Sequence, residues 1–145
     1  MKIDYSKMAY ELASRIAMEA LPRDKFEHTV RVVNYTCEIC DRECMHEEDY
    51  TLCVILAYLH DVIEDSDVTY DDIEDAFGTY IANRVYELTH RKDEQTYEEY
   101  IDVIFSSPLS VQIVKRADMK DHLCQTETLT PKLKEKYLGV LHKFM

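Results

Sequence analysis

Apolar residues return at intervals of three and four along most of the chain, the spacing of helices that each bury one face. Ala9, Leu12, Ala13, Ile16 and Ala20 outline a first helix. Pro22 should end it near Leu21, because the residue before a proline is pushed out of helical geometry. Asp24 and Glu27 have the form of a capping box, and Phe26, Val30, Val33, Cys37, Cys40 and Cys44 form the predicted buried stripe of a second helix. Val54, Leu56, Ala57 and Leu59 nearly encircle their axis. A third helix should therefore run through the middle of a bundle and carry His60 and Asp61 inside.

Residues 64–68 are acidic and short, after which Thr69 can cap a small helix that runs through Phe77 and stops at Gly78. Ile81, Ala82, Val85 and Leu88 line the next helix, whose pattern dissolves in a charged loop at 90–95. Thr96 and Glu99 make a second capping box for a helix carrying Tyr100, Ile101 and Ile104, which Ser106, Ser107 and Pro108 end. Beyond it, Val111, Val114, Ala117, Asp118 and Asp121 lie three or four apart, so carboxylates continue an inward stripe. Thr130 and Pro131 open a final helix with Leu133, Tyr137 and Leu141 as its packing face. The pattern predicts an all-α fold: one helical-bundle domain over residues 1–145, without repeats or linkers.

Composition agrees, since only two glycines and three prolines interrupt 145 residues. The formal charge of −12 argues against long nucleic acids, which are gripped through clustered Lys and Arg. A small phosphorylated partner stays compatible, because a bound cation reverses the field inside one pocket. No apolar run approaches the roughly 20 residues of a membrane span, and the first residues lack signal-peptide order, so a cytoplasmic protein is expected. Five cysteines are an odd number, which favours free thiols. Cys37 and Cys40 have the CxxC interval, yet they continue an apolar stripe and read as core.

His60 and Asp61 close the most hydrophobic segment, where an unpaired carboxylate is costly. A divalent metal answers that cost, and imidazole with carboxylate suits zinc, manganese or iron. His28 points away from Phe26 and Val30, toward Val32 and Ile39, so the apolar stripe does not explain it. Asp118 offers a fourth ligand from a distant helix. Glu64 and Asp65 follow the doublet by four residues each and can orient or deprotonate water if the helix persists. Lys92, in the charged loop, and Arg116, near Asp118, are candidate phosphate contacts. His122, four residues after Asp118, is a candidate donor to substrate.

With those residues in view, the chain resembles the HD-domain phosphohydrolases, in which a histidine, a later His-Asp doublet and a distant Asp hold one metal. The stretch HDVIEDSDVTYDDIEDAFG is similar to the branch of guanosine polyphosphate 3′-pyrophosphohydrolases, the hydrolase half of the stringent-response enzymes. The resemblance implies an HD-type bundle and a divalent ion, Mn2+, held by His28, His60, Asp61 and Asp118. It implies Glu64 and Asp65 as the catalytic acidic pair, and a small nucleotide as substrate. Two departures stand out: His122 replaces a frequent Asn, and PRDKFEH replaces the glycine-containing approach to the first histidine. Alternatives are an HD-type nucleotidase or dinucleotide polyphosphatase, and a non-catalytic helical module that binds protein.

Overall fold

A computed structural model describes residues 5–144, with side chains from residue 7 onward. Its elements are α1 (Tyr5–Ala20), α2 (Arg23–Arg42), α3 (Glu47–Leu59), α4 (Val62–Asp65), α5 (Tyr70–Phe77), α6 (Thr79–Leu88), α7 (Tyr97–Ser106), α8 (Leu109–Cys124) and α9 (Pro131–Lys143). Among the described residues there is no strand, and the helices form a single bundle. No described helix is long and apolar enough to cross a membrane. All five cysteines are free thiols.

α3 is the axle. Cys53 to Ala57 and Leu59 are buried around its whole circumference, as its continuous apolar run requires. α1, α2 and α8 pack against it, and α2 also lies along α8. The shared core contains Val32, Ile39, Leu56, Leu59, Val111, Val114 and Ala117.

Local signals set most boundaries. Thr69 and Thr96 both close reciprocal capping boxes, with Asp72 and Glu99, and Thr130 caps α9 above Pro131. Gly78 ends α5 at φ 94°, a conformation that side chains other than glycine resist. α9 buries Val140 fully, while Leu133, Tyr137 and Leu141 are half-buried.

α2 departs from its sequence pattern in two ways. It begins at Arg23 behind Pro22, with no side-chain cap, so Asp24 lies in the first turn instead of capping it. Its buried face holds His28, Thr29, Val32, Val33, Thr36, Ile39 and Cys40, rotated from the expected stripe. Val30 is 38% exposed, Cys37 is half-buried, and Cys44 lies exposed beyond the helix at φ 52°. The inward face is partly polar because it builds a site, and hydrophobicity alone therefore selects the wrong side. Ile39→Ala should destabilise the fold by roughly 2–5 kcal/mol, and Val30→Lys by under about 0.5 kcal/mol. Urea unfolding of the two variants checks this; equal losses would contradict the rotated face.

Candidate metal centre

Three helices converge on one polar cluster in the bundle. α2 supplies His28 from its buried face, the end of α3 supplies His60 and Asp61, and α8 supplies Asp118, Asp121 and His122. α3 stops at this point. His60 caps it and donates through Nδ1–H to the Ala57 carbonyl at 2.6 Å, and Asp61 at φ −108°, ψ −2° breaks the helix before the single turn of α4.

That hydrogen bond fixes the His60 tautomer, because a nitrogen that donates to a carbonyl leaves the lone pair on the other one. His60 Nε2 lies 3.2 Å from Asp61 Oδ2 and 3.5 Å from Asp118 Oδ1. It is buried and makes no hydrogen bond. His28 repeats the arrangement: its Nδ1–H is held by Asp121 Oδ2 at 2.6 Å, while Nε2 lies 3.0 Å from Asp118 Oδ1 and 3.5 Å from Asp61 Oδ2. Two imidazole lone pairs thus face two carboxylates. Acceptors turned toward one another in a buried space require a proton or a cation between them. The donor set and the orphaned Nε2 fit a divalent metal ion.

Neighbouring groups orient the cluster. Asp118 Oδ2 accepts from the buried Lys115 ammonium at 3.0 Å, leaving Oδ1 to face the imidazoles. Lys115 also donates to the Tyr100 hydroxyl at 3.0 Å, and that hydroxyl donates to the Leu88 carbonyl. Asp121, fully buried, accepts Nε–H of Arg31 at 2.8 Å through its second oxygen. A carboxylate behind a ligating histidine fixes the ring and raises its basicity.

Asp118 is buried, which raises its pKa, but Lys115 and the three histidines hold it well below the carboxylate range. Burial pulls His28 down, yet the Asp118 hydrogen bond and charge, with Asp61, carry it above the usual histidine value. His60 moves the same way, well above that value, because Asp61 and Asp118 outweigh its desolvation. The signs give a stability profile for metal-free protein. Asp118 and Asp121, held below 3.8, contribute stability that is complete above the carboxylate range and lost as pH falls through their folded values. His28 and His60, held above 6.5, contribute stability that is complete below that value and lost as pH rises through their folded values. Chelator-treated protein should therefore melt highest near about pH 5–6 and lose stability toward pH 8, a loss that added Mn2+ should remove. A flat melting profile above pH 6 would contradict the buried imidazolium pair.

His28, Asp61, Asp118, Asp121 and His122 of this cluster line a cleft of about 530 Å³. Glu64 and Asp65 line it, although the helix does not persist through His60 as their spacing assumed; α4 brings them there after the break. Glu64 Oε1 accepts the His90 backbone N–H at 2.6 Å. Burial and the nearby Asp61 charge raise the pKa values of both carboxyls, against the lowering effects of His90 N–H on Glu64 and of Lys25 on Asp65. Lys92 and His122 also line the cleft, and His122 Nε2 is 3.2 Å from Asp118 Oδ1.

Arg116 does not reach the site. It lies outside the cleft lining and donates to Glu43 at 3.1 Å, because a residue two positions before Asp118 emerges on the opposite side of the helix. Lys115, three before Asp118, shares its face and is the cation bonded to it at 3.0 Å. Lys25, Arg31 and Lys136 join Lys92 and Lys115 around the cleft, so five cations stand among its six carboxylates.

The chain belongs to the HD domain family, whose model matches residues 26–123 and so spans His28, His60, Asp61 and Asp118. Within that family it is related to guanosine polyphosphate hydrolases. Guanosine-3′,5′-bis(diphosphate) 3′-pyrophosphohydrolase MESH1 of Drosophila melanogaster is 29% identical over 103 residues, covering 69% of this chain and 56% of that protein. The Mus musculus MESH1 is 34% identical over 91 residues, 59% of this chain and 51% of that protein. The chain thus spans about half the length of the curated relatives it matches. A solved structure described as "A metazoan ortholog of SpoT hydrolyzes ppGpp and plays a role in starvation responses" superposes with a TM-score of 0.67 at 21% identity, covering 99% of this chain and 84% of that one. At that identity the likeness is one of fold.

Proposed function

We propose that this protein is a metal-dependent phosphohydrolase that removes the 3′-diphosphate from guanosine 3′,5′-bis(diphosphate)-type nucleotides, with Mn2+ held by His28, His60, Asp61 and Asp118. The observation that carries the reading is the orphaned His60 Nε2, buried beside Asp61 and Asp118, two aspartates that with His28 line a cleft of mixed charge. A divalent ion supplies Lewis acidity toward phosphoryl oxygens and lowers the pKa of water.

The chain's own groups do the rest. Asp121 and the Ala57 carbonyl hold the two imidazoles with Nε2 inward, and Lys115 turns Asp118 so that one oxygen faces them. Glu64 has one oxygen committed to His90 N–H, which fixes the carboxylate and leaves the second oxygen to take a proton from the attacking water. Asp65, 3.9 Å from the Lys25 ammonium, carries protons beside it. Lys92 and Lys136 offset phosphate charge at the cleft wall. The guanosine preference draws on the MESH1 likeness and on the His60-to-Gly78 stretch.

The test is a nucleotide panel with purified protein and Mn2+, resolving orthophosphate from diphosphate among the products. Diphosphate and guanosine 5′-diphosphate from guanosine 3′,5′-bis(diphosphate) are expected, and Lys92→Ala should raise KM more than it lowers kcat. Release of orthophosphate from nucleoside monophosphates, with the bis(diphosphate) intact, would point to a nucleotidase instead.

A further inference from the structure

His28 offers a cation only one nitrogen, since Asp121 holds its Nδ1–H at 2.6 Å. Two triads of ligand atoms nevertheless converge on that residue, each within 4.8 Å of one another: His28 with His60 and Asp61, and His28 with Asp118 and His122. The same Nε2 is 3.5 Å from Asp61 and 3.0 Å from Asp118, so it serves both. One lone pair binds one cation. An ion on that lone pair therefore meets Asp118 and His122 in one triad and His60 and Asp61 in the other.

We propose that His122 is a fifth protein ligand of that ion, making the centre one of three imidazoles and two carboxylates. The inference rests on the metal centre proposed above and goes beyond it in assigning His122 to the metal and not to the substrate. Asp118 Oδ1 lies 3.0, 3.5 and 3.2 Å from the Nε2 atoms of His28, His60 and His122. Those separations approach the edge of about 3.0 Å that an octahedron with bonds of roughly 2.1 Å would have. Tyr137 stacks on His122, with centroids 4.9 Å apart and planes at 18°, which presets the ring plane as Asp121 does for His28. Five protein ligands would leave an octahedral ion one position for water or a phosphoryl oxygen. A third imidazole favours nitrogen-preferring cobalt and zinc over manganese more than a two-imidazole site would.

The test is metal binding alone. Metal-free wild type, His122→Phe and His122→Asn are titrated with Co2+, Zn2+ and Mn2+ against a competing chelator, and the Co2+-loaded proteins are examined by X-ray absorption for their imidazole count. The phenylalanine keeps the stack on Tyr137; the asparagine is smaller and polar, and circular dichroism checks both folds. Wild type should bind one ion through three imidazoles. Each variant should keep one ion with two imidazoles, and its Co2+ and Zn2+ affinities should fall at least about tenfold, more than its Mn2+ affinity. Two imidazoles in the wild type, or variants with unchanged count and affinities, would overturn the assignment while leaving the four-ligand centre intact. Two ions per wild-type chain, one of them lost in the variants, would replace it with a second site. A wild type that binds none of the three ions would overturn the metal centre itself.

Discussion

Asp118→Ala should eliminate hydrolysis and metal binding and also lower the stability of the metal-free fold by about 3–5 kcal/mol, the usual result of removing one partner from a buried charge network. Its carboxylate contacts Lys115, His28, His60 and His122 at once, and Lys115 and His60 are almost completely enclosed. Without it, the Lys115 ammonium keeps only the Tyr100 hydroxyl. Asp61→Ala separates the two effects. Asp61 meets His28 and His60 but no lysine, and its side chain is 17% exposed, so its removal should abolish metal occupancy and turnover at a smaller loss of stability. Urea unfolding in chelator, metal analysis and rate measurement on the same preparations decide the matter. Wild-type metal content and rate in both variants would refute the centre, and equal stability losses would refute the special position of Lys115.

Glu64→Gln should leave metal bound and slow the chemical step by on the order of 10² or more, within the 10²–10⁴ that positioned proton transfer supplies. The amide oxygen of glutamine can still accept the His90 N–H that Glu64 Oε1 accepts at 2.6 Å, so the local structure survives. What is lost is the oxygen that takes a proton. Desolvation and the nearby Asp61 charge lift the Glu64 carboxyl above its ordinary value, against the His90 N–H. Single-turnover hydrolysis at saturating Mn2+, with metal analysis of the same sample, separates the roles. A wild-type rate removes Glu64 from the chemistry, and loss of metal along with activity makes it a support of the site.

How far the sequence carried the fold depended on whether the signal was local. The three threonine caps and Gly78 act within one turn, and each stands where its spacing placed it. The α8 stripe of Val111, Val114, Ala117, Asp118 and Asp121 was legible because every member is buried, carboxylates included. α2 misled because three of its seven buried residues are polar, so counting apolar positions selects the face carrying Val30 and Cys44. The site was legible in His28, His60, Asp61 and Asp118, which the fold gathers from three helices. The supporting shell was not. Asp121 meets Arg31 from ninety residues away, a tertiary fact with no sequence spacing of its own. Lys115 was within reach of helical geometry, since three residues share a face and two do not, but nearness to Asp118 favoured Arg116.

The long span between α2 and α8 also bears on when the centre exists during folding. The bond between His28 and Asp121 closes a loop of 93 residues. A chain emerging from the ribosome can pack α1, α2 and α3 while α8 is still unmade, and in that state only His28, His60 and Asp61 are present. Asp118 and His122 arrive last, with the lysine that orients Asp118. An ion that needs Asp118 for tight binding gains its affinity only once α8 has docked. It should act chiefly as a brake on unfolding, lengthening the lifetime of the native state while leaving the rate of its formation nearly unchanged.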